Sequence, residues 1–409
     1  MTEVFAAIVK DLPWIKPELI LAGTSLVVLG VDLLLRRRQA WVSYALGLFG
    51  LGWAACDVWR HHGTVEDPVT ALSQYMTLDG PARYGKLLVL AVTGLVLLVS
   101  WQHRPLKARP QGEYVGLLIM ACLSMNLVIS ASNLLMIYLA IEFLGITSYI
   151  LVSFLKKDLR SSEAALKYLL IGAISSAFML YGMSFIYGIY GTLNLYGIRG
   201  GMDLTSAQEK AVMAALVLML VGLGFKIAMV PFHAWTPDVY EGAPTPITAF
   251  ISVAPKIAGF VVMFRIFQVA FPPYEFNMRL LVAFLSAVTM TVGNLSAMHQ
   301  LNVKRMLAFS TISHVGYMLM GFAAGTSFGF QAVLMYLGAY AIMNIGAFAV
   351  VVQVANRYGN DTLADFAGLS KQSLSTALGL AFILLSLAGI PPTVGFLGKW
   401  FVFSAAISS

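Results

Sequence analysis

The sequence predicts an all-α fold, a polytopic bundle of transmembrane helices, and three observations support this prediction. Of the 409 residues, 59% are hydrophobic and only 11% are charged. A soluble domain carries roughly a quarter charged residues, so the polar side chains needed to cover a water-exposed surface are missing. Apolar runs long enough to cross a bilayer recur along the chain. Because these runs are continuously apolar, helices are favoured over transmembrane β-strands, which alternate every second residue.

The apolar runs predict twelve membrane spans. They cover residues 17–35, 40–60, 84–101, 113–131, 133–155, 163–190, 207–232, 245–270, 278–301, 304–324, 327–355 and 374–405. The loops are short, apart from 61–83, 191–206 and 356–373. No soluble domain fits between the spans.

The distribution of basic residues predicts the orientation. Of the 26 Lys and Arg residues, thirteen fall on one side of the predicted spans, eight on the other and five within spans. Cytoplasmic loops carry an excess of Lys and Arg, so the N-terminus is expected on the periplasmic side. The net charge of +7 is explained by this topology and does not indicate nucleic acid binding. The first twenty residues do not resemble a cleaved signal peptide.

Motifs for cofactors and metals are missing from the sequence. The two cysteines, Cys56 and Cys122, lie far apart in apolar runs, without the Cys and His spacing of zinc or iron–sulfur sites. No glycine-rich nucleotide-binding motif occurs. We therefore expect no cofactor and no metal on this chain.

Two predicted spans contain helix-breaking residues. The seventh reads LVGLGFKIAMVPFHAW and the twelfth reads SLAGIPPTVGFLGKWF. Proline removes a helical hydrogen bond and clashes with the preceding turn, so the twelfth span should break near Pro391. Each of these spans carries a lysine beside the break, Lys226 or Lys399, and five spans separate the two in order. This pattern is typical of transporters built from two inverted halves.

Ionisable residues within the spans are the candidate functional groups. Glu142 and Lys256 lie near the middle of the fifth and eighth spans, and Lys226 and Lys399 lie beside the breaks. A charge in the middle of the membrane costs about 2.5–3.5 kcal/mol, so these four groups should face a hydrated interior or one another. For Arg265, near a span end, we favour a side chain that extends to the lipid headgroups.

The chemistry of these groups suits protons as cargo. Burial raises the pKa of a carboxylate and lowers the pKa of an amine, whereas a nearby opposite charge shifts each pKa back. A Glu–Lys pair therefore has two accessible protonation states. Clustered carboxylates that would hold Na⁺ or Ca²⁺ are not evident in the sequence. We predict a lateral proton relay of Glu142, Lys226, Lys256 and Lys399. Polar groups expected to join these residues, together with water, are His314, Ser310, Ser313 and Tyr317.

Several segments resemble a known family. Residues 224–259, GFKIAMVPFHAWTPDVYEGAPTPITAFISVAPKIAG, resemble the signature of the antiporter-like proton-pumping subunits of respiratory complex I, the NADH:quinone oxidoreductase. The WTPDVYEGAPTP segment is most similar to the branch that contains bacterial subunit N, mitochondrial subunit 2 and their chloroplast counterpart. Supporting segments lie at 163–182, 291–321 and 388–403, so the resemblance covers most of the chain from about residue 113 onward.

The resemblance implies two inverted five-helix repeats, spans 4–8 and 9–13, with broken seventh and twelfth helices. The chain then divides into a three-helix region at 1–112, a first repeat at 113–270 and a second repeat at 271–409. Relatives continue into two more helices, whereas this sequence stops ten residues after Lys399. The sequence is therefore expected to be a fragment or to have a second repeat without its thirteenth span.

The resemblance also implies roles. Glu142 and Lys226 are expected to form a switching pair that Lys167 modulates, and Lys256 to be the central relay lysine. His233, beside Pro231, is expected either to help cytoplasmic proton entry or simply to lie at the interface, and Lys399 is the terminal lysine. Quinone, FMN and iron–sulfur clusters are expected on partner subunits. The expected neighbours are other membrane-arm subunits in the bacterial inner membrane.

Two further functions remain open at this stage. The family shares ancestry with multisubunit cation antiporters, so the chain is alternatively an antiporter subunit that exchanges Na⁺ or K⁺ for H⁺. The chain is also compatible with a purely structural spacer in the membrane arm. Proton pumping after replacement of Lys226 or Lys256 distinguishes the spacer from the relay.

Overall fold

The computed structural model of the chain describes residues 11–34, 40–61, 69–72, 74–107, 109–200, 204–272 and 275–409. Within these ranges, eleven helices are long and apolar enough to cross a membrane, and two shorter apolar helices follow them. The predicted all-α membrane fold is confirmed by this arrangement.

The α-helices are numbered in chain order. They are α1 (Lys16–Leu34), α2 (Ala40–His61), α3 (Gly80–Gln102), α4 (Arg104–Lys107), α5 (Gln111–Ser130), α6 (Leu134–Val152), α7 (Leu159–Tyr190), α8 (Leu195–Arg199), α9 (Ser206–Ile227), α10 (Trp235–Gly242), α11 (Thr245–Phe264), α12 (Glu275–Ala297), α13 (Val303–Ala323), α14 (Ser327–Tyr358), α15 (Leu369–Gln372), α16 (Leu374–Ala388) and α17 (Val394–Ile407). Two 3₁₀ turns, one π-helical turn and two strands complete the described elements: Leu12–Ile15, Leu363–Phe366, Arg265–Ala270, β1 (Val69–Ala71) and β2 (Met76–Leu78).

Each of the twelve predicted spans corresponds to one or two of these helices, with shifted ends. The sixth span begins four residues earlier than predicted, at Leu159, because the Asp158 side chain caps α7 by accepting a hydrogen bond from the Arg160 N–H. The same helix ends where Gly191 adopts a left-handed conformation, with φ of 67°. The predicted span 207–232 ends earlier, at Ile227, because the chain breaks there.

The long loop predicted at 61–83 contains a small β-hairpin that the sequence did not indicate. Strands β1 and β2 pair antiparallel, with Val69 opposite Leu78. The hairpin is held to the bundle because the Ser132 N–H donates to the Tyr75 carbonyl and Met76 bridges Ala131. Residues 62–68 of this loop lie outside the described residues. The described part covers the junction between α5 and α6.

The centre of the bundle is α11, the helix that carries Lys256. The apolar segment of this span is 94% buried, because α3, α5, α9 and α14 surround it. A helix that is apolar on all faces is stable when protein or lipid encloses it, and for α11 the neighbouring helices do so. The groups that interact with Lys256 therefore come from neighbouring helices and not from lipid.

The structure contains two sets of matching elements, as expected for an internal repeat. Helices α7 and α14 are each 32 residues long. Each ends at a tyrosine followed by a left-handed glycine, Gly191 with φ of 67° and Gly359 with φ of 77°. The chain beyond each glycine pairs with the segment before another helix. The isolated antiparallel bridges are Asn133 with Asn194 and Asn302 with Thr362.

The two repeats run in opposite directions through the membrane. Helices α6 and α13, which begin at the matching bridges, are the fifth and tenth spans of the chain. Because consecutive spans alternate in direction, two helices five spans apart must be antiparallel. The matching elements therefore belong to inverted repeats, the arrangement that the broken seventh and twelfth spans predicted.

The expectation for Arg265 was wrong. Its side chain does not extend to the headgroups but is 3% exposed, at the start of the π-helical turn after α11. The Arg265 Nε–H donates to the Ile129 carbonyl at 3.1 Å, and a terminal nitrogen binds Asp79 at 2.8 Å. The Asp79 carboxylate, which also caps α3, gives the guanidinium a partly buried partner, so the lipid surface is not needed.

Candidate functional site: ionisable residues beside and between two helix breaks

Both predicted helix breaks are present, and in each the freed backbone groups have partners. The first break separates α9 from α10 and begins at Ala228, whose φ of 65° is unusual for a residue with a side chain. The Phe225 carbonyl accepts a hydrogen bond from the Trp235 indole at 3.1 Å. The Val230 N–H donates to the Thr289 hydroxyl of α12 at 3.2 Å. Broken helices persist within the membrane only with such replacement partners.

The second break separates α16 from α17, close to Pro391 as predicted. Gly389 adopts the left-handed conformation, with φ of 84°. The Lys399 ammonium reaches back across the break and donates to the Leu387 and Ala388 carbonyls, each at 3.0 Å. These carbonyls end α16, where the helix dipole places partial negative charge. The break thus holds a lysine at a helix C-terminus.

Lys226 lies at the equivalent electrostatic position in the first repeat, in the last turn of α9. It occupies this position differently, because Lys226 precedes its break whereas Lys399 follows its own. The Lys226 side chain is 6% exposed, and its ammonium lies 5.7 Å from the centre of the Tyr149 ring. A Cβ added at Gly145 would lie only 3.2 Å from Lys226 Nζ, so this glycine leaves room for the ammonium.

Glu142 shares the α6 helix with Gly145, one turn away, and therefore lies near Lys226. Its carboxylate accepts a short hydrogen bond from the Ser176 hydroxyl of α7. In the described residues, no N···O distance of 4.0 Å or less joins Glu142 to Lys226. The structure thus brings the two predicted partners into one region but does not place them in direct contact.

Lys256 is fully buried at the centre of the molecule. Its ammonium donates to the Tyr240 hydroxyl at 2.9 Å and to the Ile251 carbonyl at 3.0 Å. The rings of Trp235 and Tyr240 lie 5.7 and 5.5 Å from the ammonium, within the range of cation–π attraction. In the described part of the chain, no carboxylate lies within 4.0 Å of Lys256.

Hydroxyl groups lead away from Lys256 toward the second repeat. The Tyr240 hydroxyl, which accepts from Lys256, lies near the Thr311 hydroxyl of α13 but has no hydrogen bond to it in the described structure. Thr311 in turn accepts a hydrogen bond from the Tyr340 hydroxyl of α14 at 2.8 Å. The Tyr340 ring lies 5.1 Å from the His314 ring. Side chains of three helices thus form a nearly continuous polar path from α11 to His314.

His314 and Lys399 meet at one cavity of about 320 Å³. Its lining includes Ser310, Ser313 and Tyr317, which the sequence singled out as joining groups. The His314 Nδ1 lies 2.6 Å from the Tyr336 hydroxyl, and the Lys399 ammonium lies 4.6 Å from the centre of the Tyr317 ring. A cavity of this size, lined in part by polar side chains, has room for several water molecules.

Lys167 and His233 lie apart from these contacts. The Lys167 ammonium binds Asp238 at 2.8 Å and Glu163 at 2.9 Å, at a partly exposed site on α7. Asp238 also binds Arg305, at 2.7 Å, so a surface network links α7, α10 and α13. The His233 Nδ1 is buried beside the first break and has no hydrogen-bond partner in the described structure. In the described structure, neither Lys167 nor His233 is hydrogen-bonded or ion-paired to Glu142 or Lys226.

The described polar contacts do not connect Lys226 with Lys256. The path between them runs through aromatic rings: Lys226 lies over Phe225, Phe225 packs against Trp235 at 5.3 Å, and Lys256 lies over Trp235. The predicted relay residues thus fall into two groups. Glu142 and Lys226 form one group, and Lys256, His314 and Lys399 lie along the other.

Sequence reasoning missed the hydroxyl path through Tyr240, Thr311 and Tyr340. A signal was available, because Tyr336 and Tyr340 lie one turn apart on α14, in an otherwise apolar segment. Thr311 likewise lies one turn before His314 on α13. The pairing of Tyr240 with Lys256 depends on the turn between α10 and α11, which spacing alone does not reveal.

Comparison with known proteins gives consistent matches. The family model described as NADH:quinone oxidoreductase/Mrp antiporter, TM matches residues 131–409. The NADH-quinone oxidoreductase subunit N of Trichlorobacter lovleyi is 41% identical over 401 residues, covering 97% of this chain and 81% of that protein.

Solved structures agree with the sequence comparison. A chain of respiratory complex I from Thermus thermophilus with bound aureothin is similar with a TM-score of 0.78 and 32% identity, covering 96% of this chain and 83% of that one. A chain of the Mrp complex from Dietzia has a TM-score of 0.75 at 23% identity, covering 100% of this chain and 75% of that one, and so shows a shared fold alone. With two broken helices, a lysine beside each break and a family match over more than half its length, the chain belongs to the NADH:quinone oxidoreductase/Mrp antiporter family of membrane subunits.

Proposed function

We propose that this chain is a proton-translocating membrane-arm subunit of an NADH:quinone oxidoreductase. The observation that carries the proposal is the set of ionisable side chains within an apolar bundle, beside and between two helix breaks, with Lys226 and Lys256 buried. Leaving such groups in the membrane costs several kcal/mol, which a purely structural bundle of the same shape would avoid. The 41% identity to a subunit N supports the same function.

The relay runs from Glu142 and Lys226 through Lys256 to His314 and Lys399. A proton on Lys256 passes to the second repeat through the hydroxyls of Tyr240, Thr311 and Tyr340 and reaches the His314 cavity. Each hydroxyl can donate and accept at once, so it hands on a proton without a lasting charge. The Lys256 ammonium donates to the Tyr240 hydroxyl at 2.9 Å, along this direction of transfer. The Tyr340 hydroxyl donates to Thr311 at 2.8 Å, so the Thr311 and Tyr340 hydroxyls must reorient before a proton moves on toward His314.

The step from Lys226 to Lys256 needs water, because aromatic rings occupy the direct path. Phe225 and Trp235 keep the two ammonium groups apart while the path is dry. Transient hydration beside these rings opens the connection, and protonation of Lys226 favours it because a charge attracts water into an apolar region. The relay is therefore interruptible at this point, as a pump requires.

Glu142 acts as the switch of the relay. When Glu142 is deprotonated, its carboxylate attracts the Lys226 ammonium. When Glu142 is protonated, this attraction is lost. The Ser176 hydroxyl holds the carboxylate on the face of α6 that leads to Gly145 and Lys226. Lys167, which is bound to Asp238 at 2.8 Å, acts from a distance by setting the local potential. His233 provides access on the cytoplasmic side.

The surroundings of the subunit follow from the same proposal. The neighbours are other membrane-arm subunits of the complex, and quinone, FMN and iron–sulfur clusters are bound by partner subunits and not by this chain. The chain lies in the bacterial inner membrane with its N-terminus on the periplasmic side, as the basic loops indicate. The division into 1–112, 113–270 and 271–409 is supported by the matching elements of the two repeats.

The decisive test replaces Lys256 in the assembled complex. Lys256→Met removes the central proton carrier and keeps most of the side-chain volume. We expect NADH-driven acidification of reconstituted vesicles to fall at least fivefold while the complex assembles normally. The matched control is Lys210→Met, at an exposed lysine in the first turn of α9, which should pump normally. Normal pumping by the Lys256 variant would leave only the spacer function.

The same vesicles test the antiporter function. If a sodium or potassium gradient, without NADH, drives pH changes through the wild-type complex and Lys256→Met abolishes them, the chain exchanges cations. If pH changes require NADH and are unaffected by either gradient, the proton-pumping function stands.

A further inference from the structure

A cavity on the face opposite the β-hairpin has no part in the proposed relay. It measures about 500 Å³ and lies where α3, α6, α7, α11, α13 and α14 begin or end. Four of its lining side chains are basic or become so on protonation: His103, Arg104, Arg160 and Lys304. We call it the basic cavity. Because it collects the ends of six helices, it lies at the membrane surface.

The buried histidine of the basic cavity has an unpaired nitrogen. His103 is 4% exposed, and its Nδ1 has no hydrogen-bond partner in the described structure. A buried polar atom without a partner costs about 1–3 kcal/mol, so such atoms mark places where a ligand or water completes the bonding. The adjacent Lys304 is also buried, and it donates to the Ala243 carbonyl at 2.9 Å.

The acidic side chains that line the basic cavity already have partners. Asp158 caps α7 through the Arg160 N–H at 3.0 Å. Glu241 binds Arg305 at 2.9 Å. Asp361 accepts from the Asn302 amide at 2.7 Å and lies 3.7 Å from Lys304. Each of these three carboxylates thus has another partner, and none of them is paired with Arg104 or Arg160.

The two guanidinium groups of the basic cavity have no carboxylate partner in the described residues. The Arg104 guanidinium donates to the Asn356 carbonyl, at 3.0 Å, and the exposed Arg160 side chain makes no described hydrogen bond or ion pair. Guanidinium groups bind the oxygens of a phosphate with paired, charge-assisted hydrogen bonds. The cavity thus offers two free binding groups of the type that a phosphate requires.

An adjoining cavity adds an apolar wall and more positive charge. It shares Arg160 and Leu155 with the basic cavity and is also lined by Arg109, Lys157 and Leu159. Leu159 is 86% exposed, so an apolar surface lies directly beside the basic one. A cationic pocket with an exposed apolar flank at the end of membrane helices matches the headgroup and upper acyl chain of a phospholipid.

We propose that the basic cavity binds the phosphate group of a phospholipid, held by Arg104, Arg160 and His103 with its acyl chains along Leu159. The bound lipid ties the ends of α3, α7 and α14 together, because its three ligands lie on or beside α3, α4 and α7, and α4 is joined to α14 through Asn356. This site is independent of the proton relay, and none of its ligands belongs to the proposed path.

Photo-crosslinking in the assembled complex tests the site. The probe is phosphatidylglycerol with a diazirine in its headgroup, incorporated into nanodiscs with the complex. Peptide mapping then measures labelling at residues 103–109 and 155–160. We expect saturable labelling that falls at least tenfold in the Arg104→Gln/Arg160→Gln variant. Arg199→Gln/Lys210→Gln removes the same charge from exposed positions elsewhere and should label as the wild type does.

Two further measurements test whether lost labelling reflects misfolding and whether the bound phosphate belongs to a lipid or is free in solution. Arg160→Gln alone breaks no described side-chain contact, so it keeps assembly normal and should still lower labelling severalfold. Suppression of labelling by millimolar inorganic phosphate, but not by equal chloride, would assign the site to a free phosphate. Unsaturable labelling, or equal labelling of wild type and both arginine variants, would overturn the proposal.

Discussion

The ammonium group of Lys256 illustrates how one buried charge is accommodated. It lies on the most enclosed helix of the bundle and has as partners one hydroxyl, one carbonyl and two aromatic rings, but no described carboxylate. These partners stabilise a cation less strongly than a full ion pair would. Lys256 therefore has no close carboxylate to hold its proton, and a relay residue needs this, since a group that never releases its proton cannot pass it on.

Removal of the Tyr240 hydroxyl tests the path at its first step. Tyr240→Phe keeps the ring beside Lys256 but removes the hydroxyl that accepts its hydrogen bond, so NADH-driven pumping should fall roughly tenfold or more. Tyr44→Phe, which removes an equally buried hydroxyl bonded to Gln111 at 2.9 Å in the N-terminal region, is the control. Similar pumping by both variants would show that water, not the hydroxyl, carries the proton.

The buried pair of Lys86 and Glu18 makes a prediction about stability. The two side chains are 2.5 Å apart and almost fully buried between α1 and α3. Lys86→Met would leave a buried, unpaired carboxylate and should destabilise the protein by about 3–5 kcal/mol. Native gels and thermal inactivation would report the loss. The Glu18→Gln/Lys86→Met variant should recover most of it, and failure to recover would mean that packing, not charge, causes the loss.

His103 predicts a pH dependence of stability outside the spans. Burial, and next the charge of Lys304, lower the pKa of His103 from 6.5 to about 4. The folded protein therefore favours the neutral ring, and the unfolded chain takes up a proton first as the pH falls. Stability should decrease between pH 6.5 and pH 4, by about 1 kcal/mol at pH 5.5 relative to pH 7.5. Thermal melts of wild type and His103→Gln at both pH values would measure it, and an unchanged pH slope in the variant would contradict it.

At the scale of helices, the breaks depend on close backbone approach. A Cβ added at Gly395 would overlap the Ser386 carbonyl oxygen, because α17 begins directly against the end of α16. The Gly395 N–H donates to the Ser386 hydroxyl at 3.1 Å, which fixes the approach. The second break is therefore a rigid joint, and the position of Lys399 depends on it.

Two alanine substitutions distinguish the effect of the close backbone approach at Gly395 from the general effect of alanine on helix stability. Gly395→Ala should lower the melting temperature and reduce pumping, because the new methyl group separates α16 from α17 at a cost of about 1–3 kcal/mol. Gly379→Ala, in the middle of α16 with nothing within 4 Å of the new Cβ, should instead be neutral or stabilise by up to about 1 kcal/mol. Equal effects of the two substitutions would exclude the close approach as the cause.

Helices and breaks could be predicted from the sequence, but the contacts between helices could not. Apolar run length locates a span, and Pro391 and Gly389 locate a break, because both signals are local in the chain. The burial of Arg265 depends on Asp79, which is 186 residues away. The hydroxyl path needs Tyr240, Thr311 and Tyr340 from three elements, and local periodicity contains no information on which faces of these helices meet.

For the candidate site, too, the positions of the ionisable residues could be predicted from the sequence, but their contacts could not. A mid-membrane position identified Glu142 and Lys256 because an isolated charge there is costly wherever the helix packs. Whether Glu142 contacts Lys226 depends on the side-chain position that Gly145 permits, and spacing cannot show it. Lys167 lies with Asp238 and Glu163, an arrangement that depends on how α10 folds back after the first break.

At the scale of the whole molecule, the two repeats have long helices of equal length, each ended by a left-handed glycine and followed by an antiparallel bridge, yet their charged residues differ. Lys226 precedes its break and Lys399 follows its own, so the two lysines reach helix C-termini by different routes. Glu142 has its counterpart position on α13 near Thr311, a neutral residue. The fold is thus close to symmetric while the proton chemistry is directional.

The length of α7 and α14 has a mechanical consequence. At about 1.5 Å per residue, a helix of 32 residues is about 48 Å long, well beyond a hydrocarbon core of about 30 Å. Since the two helices are antiparallel, their tyrosine ends emerge on opposite faces, and each end is clamped there by its own bridge, at Asn194 or at Thr362. A change in bilayer thickness would therefore act on the helix ends at both membrane surfaces at once. The subunit should resist local thinning or thickening of the bilayer.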